Sequence, residues 1–531
     1  MGTLWYNGNF YTMAKLGEAI TAVFVKNGII EAIGEQSELE QQYKNEITES
    51  IDVKGATVFP GFVDSHLHMI GHGEKIIRLD LSSVMSSLEM KEQLQQKVSH
   101  SQSDEWIIGE GWNENNFSDR KIFHRTELDE ISPNKPMMLT RVCRHAVLVN
   151  SQALSLANIT SETPDPPGGI IVKDDMGEPT GYLLDEAQEL VKAVVPKVSD
   201  EYLRQALRSS VDDMLQRGLV GGHTEDLNYY GSYERVLNTF QSVIDGKKTK
   251  FRAHLLVHHE VALDMCKQEL CRTQLSPFIE TGAMKIFADG ALGGRTALLS
   301  KPYNDAPETS GVAIHTQEQL NQLVKTAREH QMAVAIHTIG DLSLEMAVCA
   351  IETYPLVENG LRDRIIHLQV GRKDLLERLK KLPVIIDIQP RFVASDFPWV
   401  EERLGEERLP LSFAWKTLLD EGLACAGGSD APIEPVDPLL GIHAAVTRKK
   451  PGDHHDGYNT NEKLTLFEAI SLFTGGSAYA IGKENTMGKL LPGYVADFTM
   501  FDRDLFTLHD DELLDAKVVK TVVDNEIMYE G

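Results

Sequence analysis

Between residues 58 and 432, short apolar runs repeatedly end in polar or ionisable residues. Eight stand out: VFPGFVDSHLH (58–68), GLVGGHTED (218–226), FRAHLLVHH (251–259), AMKIFADG (283–290), MAVAIHTIGD (332–341), RIIHLQ (364–369), PVIIDIQP (383–390) and LACAGGSDAP (423–432). Apolar runs of this length suit strands of a parallel sheet covered on both faces. Between most of them, over 203–217, 316–330, 342–354 and 374–382, apolar residues return at three- and four-residue spacing. That spacing predicts amphipathic helices. Eight strand–helix repeats predict a closed (β/α)₈ barrel, the TIM-barrel form of α/β architecture. The alternative is an open doubly wound sheet. No GxGxxG follows any strand, so nothing supports a dinucleotide fold.

The two ends have another texture. Residues 1–57 alternate short apolar runs with turn signals, Asn7-Gly8 and Asn27-Gly28 reading as hairpin turns. Residues 483–531 are also strand-rich, with turns at Pro492-Gly493 and Asp524-Asn525. The expectation is one small β-sandwich built from both ends, around a barrel spanning 58–482. About 150 residues separate the first two barrel strands, and they contain strand and hairpin signals of their own. We read about 75–215 as an insertion after barrel strand one, which would emerge over the active-site face and shape specificity.

Composition narrows the setting. The net charge of −27 argues against nucleic acid and anionic membrane as partners. No apolar run is long enough to cross a bilayer, and MGTLWYNGNF lacks the pattern of a secretory signal. The five cysteines, Cys143, Cys266, Cys271, Cys349 and Cys425, include no CxxC pair and suggest neither a disulfide framework nor a zinc-thiolate site. A small-molecule substrate and a cytoplasmic location are the expectations, with a homodimer open.

Chemistry gathers at the strand ends. His66 and His68 stand two apart at the end of the first strand, so their imidazoles would share one face. Imidazole is the commonest protein ligand for transition metals. Lys285, His337, His367 and Asp430 follow on the fourth, fifth, sixth and eighth strands. Each has an ordinary structural reading, for example Lys285 paired with Asp289. Six together at the ends where barrel enzymes place their chemistry point to a metal centre. Asp64 could orient a ligand. Arg141, Arg144, His145, Arg295 and Arg391 could bind a polar substrate group, and Trp112 could wall an apolar pocket; structural ion pairs and core packing are the alternatives.

This set resembles the amidohydrolase superfamily: HxH on strand one, Lys on four, His on five and six, Asp on eight. GFVDSHLH, GEGWNENN, RHAVLVNSQAL, GGIIVKDDMGEPTGYLLDEA, MKIFADGALGGRTALL, IHTIGD and GGSDAPIEPVDPLLGI resemble its YtcJ-like branch, similar to N-substituted formamide deformylase. The resemblance runs nearly end to end. It implies that Lys285 is carboxylated by CO₂ and bridges two metals. His66, His68 and Asp430 would hold one divalent ion, preferably zinc, and His337 and His367 a second. It also implies a metal-activated hydroxide attacking a non-peptide C–N bond of amide or formamide type. Asp430 would be the catalytic proton shuttle.

Three rivals remain. Deaminases of the superfamily with one metal commonly carry a glutamate three residues after the strand-five histidine, where this chain has Gly340. A lactone or ester hydrolase would use the same hydroxide. A barrel that binds without catalysis would be expected to have lost ligands, and none is missing.

Overall fold

The computed structural model describes residues 2–101, 106–141, 146–196, 198–357 and 360–531. The chain divides into two compact units, one of residues 1–72 with 203–531 and one of residues 73–202.

The larger unit contains the barrel. Its strands are β1 (Phe62–Leu67), β2 (Leu219–Thr224), β3 (Arg252–His258), β4 (Ile279–Phe287), β5 (Val334–Thr338), β6 (Asp363–His367), β7 (Val384–Ile388) and β8 (Cys425–Gly427). Each pairs in parallel with the next in chain order. The ring closes just past β8, where the Asp430 N–H donates to the His66 carbonyl at 2.7 Å and the His68 N–H to the Ala431 carbonyl at 2.8 Å. The eight apolar runs are therefore the eight strands of a (β/α)₈ barrel. Helices Asp200–Gln216, Gln317–Glu329, Asp341–Thr353 and Lys373–Leu379 occupy the segments of helical spacing. Thr316 and Gln319 form a capping box that sets the start of the second of these. Among the described residues no helix is long and apolar enough to cross a membrane.

A second sheet in this unit contains strands from both ends of the chain. Its order is Glu526–Glu530, Val518–Val523, Phe498–Phe501, Thr57–Pro60, Gly2–Tyr11, Ala19–Lys26 and Ile29–Gly34, with Ile47–Asp52 also paired to Gly2–Tyr11. Trp5, Phe10, Val58, Phe498 and Val522 share one buried cluster on it. Asn27-Gly28 and Asp524-Asn525 have positive φ at both positions, as two-residue hairpin turns require. Asn7-Gly8 departs from expectation. Gly2–Tyr11 is one strand, and its register with Ala19–Lys26 shifts between Tyr6 and Phe10. Asn7, at φ 62°, makes a bulge there, while the chain on both sides stays bonded to residues 53–56.

The sheet is fastened to the barrel bottom. Thr499 Oγ1 accepts the Phe62 N–H at 2.9 Å and donates to the Gly218 carbonyl at 2.7 Å. A Cβ on Gly218 would lie 2.4 Å from the Thr499 methyl, so this contact needs glycine. Asp497 takes both the Arg252 guanidinium and the Asp524 N–H.

The smaller unit is a six-stranded sheet in the order Gly169–Lys173, Pro179–Asp185, Ala146–Val149, Met137–Arg141, Ile107–Trp112 and Leu79–Asp80. Alternation of side chains builds a core on each face. Leu139 and Leu148 join Trp112 and Leu128 in one, and Met138 and Val147 join Leu154 and Leu183 in the other.

One cysteine expectation is corrected. Cys266 and Cys271 are joined as a disulfide. The helix His259–Lys267 ends there, and with a positive φ at Glu269 the chain folds back until the two Cα atoms are 4.9 Å apart. Spacing alone does not reveal such a turn.

Candidate metal centre

The strand ends bring the six predicted ligands to one place. His66 lies inside β1 and His68 just past it, their ring centroids 5.9 Å apart. Asp430 Oδ1 lies 3.6 Å from His66 Nε2 and 3.7 Å from His68 Nε2. Among the described residues these three alone bring three His, Cys, Asp or Glu ligand atoms within 4.8 Å of one another. Lys285 Nζ is 3.1 Å from His66 Nε2, and the His66 and His367 rings lie 5.7 Å apart. His337 Nδ1 and His367 Nε2 face each other at 3.0 Å.

Backbone and amide partners orient the imidazoles. His68 Nδ1 is 2.6 Å from the Glu225 carbonyl, and His337 Nε2 is 3.1 Å from the Gly290 carbonyl. His367 Nδ1 is 2.7 Å from Gln389 Oε1, while the Gln389 amide nitrogen donates to the Asp387 carbonyl. Each acceptor demands a proton on the nitrogen it faces, which leaves a lone pair on the other nitrogen of a neutral ring. His68 Nε2, His337 Nδ1 and His367 Nε2 therefore present lone pairs inward. Two lone pairs facing at 3.0 Å repel unless a cation lies between or beside them. Ring protonation does not relieve this. Burial first, and then the Lys285 ammonium, pushes His337 down to about 3 and His68 to about 4. Burial, His337 and Lys285 hold His367 well below its usual value. This donor set fits divalent metal, which needs neutral imidazoles.

The charged groups are equally perturbed. Burial lowers Lys285 to about 8, against the opposing pull of Glu225, Asp430 and Asp387. Burial raises Asp430 to about 7, with Lys285 working the other way. Asp430 and His367 have φ of 60° and 77°. Such left-handed geometry in non-glycine residues costs energy and concentrates at functional sites.

Asp64 orients backbone rather than a ligand side chain. Its carboxylate accepts the His66 N–H at 3.0 Å and the Ser429 N–H at 3.1 Å, tying β1 to the residue before Asp430. Asp289 does not pair with Lys285. It accepts N–H groups of Leu298, Ile339 and Gly340 and the Ser343 hydroxyl, and lies 3.6 Å from His337 Nε2. Glu225, Gly290 and Gln389 were not singled out from sequence. Glu225 and Gln389 did carry a signal, since both are polar residues at the ends of recognised strands.

Among the described residues, the weaker candidates have partners of their own. Trp112 is fully buried in a core of the smaller unit, its indole N–H bonded to the Leu139 carbonyl at 2.9 Å. Arg141 is paired with Glu114 and Arg295 with Asp305. Arg391 is paired with Glu434, and its Nη1 is buried without a partner. Arg144 and His145 lie outside the described residues.

Known proteins place the chain. Over its whole length and that of the relative, it is 48% identical to YtcJ of Bacillus subtilis, provisionally named an amidohydrolase. It is 25% identical to N-substituted formamide deformylase of Arthrobacter pascens, over 99% of this chain and 97% of that one. Among solved structures, an uncharacterized metal-dependent hydrolase of Pyrococcus horikoshii superposes with a TM-score of 0.80 at 29% identity, covering 96% of this chain and 99% of the other. Residues 49–529 match the family model described as the amidohydrolase family. With that match over most of its length, and a barrel bearing the ligand pattern at its strand ends, the chain belongs to the amidohydrolase family.

Proposed function

We propose that this protein is a metal-dependent hydrolase cleaving a non-peptide C–N bond of amide or formamide type. The observation that carries the reading is the set of inward lone pairs of His68, His337 and His367 around Lys285 and Asp430. His66, His68 and Asp430 would hold one divalent ion, zinc by preference, and His337 and His367 a second. Lys285, carboxylated by CO₂ to a carbamate, would lie between them. A divalent metal there supplies a more acidic water and withdraws electron density from the substrate carbonyl.

The protein's own part is proton handling. Asp430 is held by its backbone bond to His66 and faces the His66 and His68 imidazoles. Its carboxylate takes a proton from the attacking water and returns it to the leaving nitrogen as the C–N bond breaks. The products are a carboxylate or formate and an amine. The relatives support this class, one being a formamide deformylase and one a metal-dependent hydrolase. Deamination with the usual glutamate is disfavoured. A Cβ on Gly340 would lie 2.0 Å from the Leu298 carbonyl, so no side chain fits there.

The test is metal analysis of protein purified without chelator, then hydrolysis assays on N-formyl amines, N-acyl amines, lactones and esters. Asp430→Asn should keep most of its metal and lose roughly 10²–10⁴-fold in rate. Loss of metal in proportion to rate would make Asp430 a ligand only. Activity confined to lactones or esters would overturn the bond assignment.

A further inference from the structure

Outside the centre, a second group of imidazoles lies near the ends of β3 and β4. His259 opens the helix that follows β3, and His315 stands just ahead of the helix Gln317–Glu329. Their ring centroids are 5.3 Å apart. His259 Nδ1 and His315 Nε2 are both buried, and neither has a hydrogen-bond partner. Buried polar atoms are almost always satisfied, so each orphan calls for an explanation such as a water or an ion. In a neutral ring protonated on its other nitrogen, each of these two atoms is a bare lone pair.

The spacing can be compared with coordination geometry. Zinc–nitrogen bonds of about 2.1 Å in a tetrahedral site place two imidazole centroids about 5 Å apart. The observed 5.3 Å matches, and the His66–His68 pair is at 5.9 Å. The neighbouring His258 ring packs against His259 at 4.6 Å with a tilt of 31°, and its Nδ1 takes the Glu260 N–H. His258 thus packs against His259 with its Nδ1 already engaged.

We propose that His259 and His315 form a second divalent-metal site, distinct from the centre of His66, His68, Lys285, His337, His367 and Asp430. Two imidazoles with water completing the shell suit Zn²⁺ or Cu²⁺. The ion would fasten the stretch after β4, which supplies the Gly290 carbonyl to His337, to the helix after β3.

The test is a Zn²⁺ titration of chelator-stripped full-length protein against a chromophoric competitor. The wild type should bind one equivalent per chain more weakly than the rest. His259→Gln and His315→Gln should each weaken that equivalent at least tenfold and leave the tighter ones unchanged. His315→Cys should restore it, because a thiolate also binds zinc. Melting temperatures of the metal-free variants close to wild type would show that they fold. The proposal is overturned by any of three results: no additional equivalent in the wild type, an additional equivalent unchanged in both glutamine variants, or tight sites lost together with it.

Discussion

Asp64→Ala tests whether the metal centre depends on one buried clamp. The carboxylate accepts two backbone N–H groups, those of His66 and Ser429, at 3.0–3.1 Å. Gly428 packs directly on it, since a Cβ there would lie 2.9 Å from Asp64 Oδ1. Alanine would leave both N–H groups buried without an acceptor. Each costs about 1–3 kcal/mol, so the loss is about 2–6 kcal/mol before any compensation. Removing a buried carboxylate offsets part of this, because burial pushes its pKa from 3.8 to about 7. A net loss of about 2–4 kcal/mol is expected on this accounting. Because the folded pKa is raised, the stability Asp64 contributes is complete below 3.8 and is lost as pH rises through about 7. The deficit of the alanine variant should thus be larger at about pH 5 than at about pH 8. His66 and Asp430 would also be held less firmly, and metal affinity should fall about 10–100-fold. Urea unfolding of stripped protein and competition against a chelator measure the two effects. Asp64→Asn keeps one acceptor and should show about half the stability loss. A loss below about 0.5 kcal/mol with unchanged metal affinity would show that the carboxylate is not the clamp.

Further outcomes follow from other contacts. Replacing His66 and His68 together by alanine should remove bound metal, and unchanged stoichiometry by mass spectrometry would refute the ligand assignment. Burial alone would raise the Glu280 pKa, but its bonds to His254 and Lys483 hold it down to about 2. A depressed folded pKa contributes stability above 4.5 that is lost as pH falls toward 2. Glu280→Gln should therefore cost about 3 kcal/mol at neutral pH, with the difference closing in acid. A constant difference across that range would refute the assignment. Truncation near residue 483 should strip Phe498–Phe501 and its partners from the sheet of the two chain ends and give insoluble protein; a soluble, active truncation would count against one shared β domain.

The barrel was legible in the sequence because its signals are local. Parallel strands covered on both faces read as apolar runs, and helices against them read as 3.6-residue spacing. His66, His68, Lys285, His337, His367 and Asp430 were legible for the same reason, since a strand end is visible where an apolar run stops. Contacts between distant segments were not. Asn7-Gly8 has a hairpin's turn residues, but pairing with residues 53–58 keeps its strand continuous. The imidazole orientations depend on carbonyls of Glu225 and Gly290 and on Gln389, each from a different strand end. Closure of the ring between His66 and Asp430 joins residues 364 positions apart, with Asp64 clamping both sides. Residue pattern determines which segments are strands and which side chains their ends carry. Which nitrogen of each ring faces inward is decided by hydrogen-bond partners that only the closed barrel brings within reach.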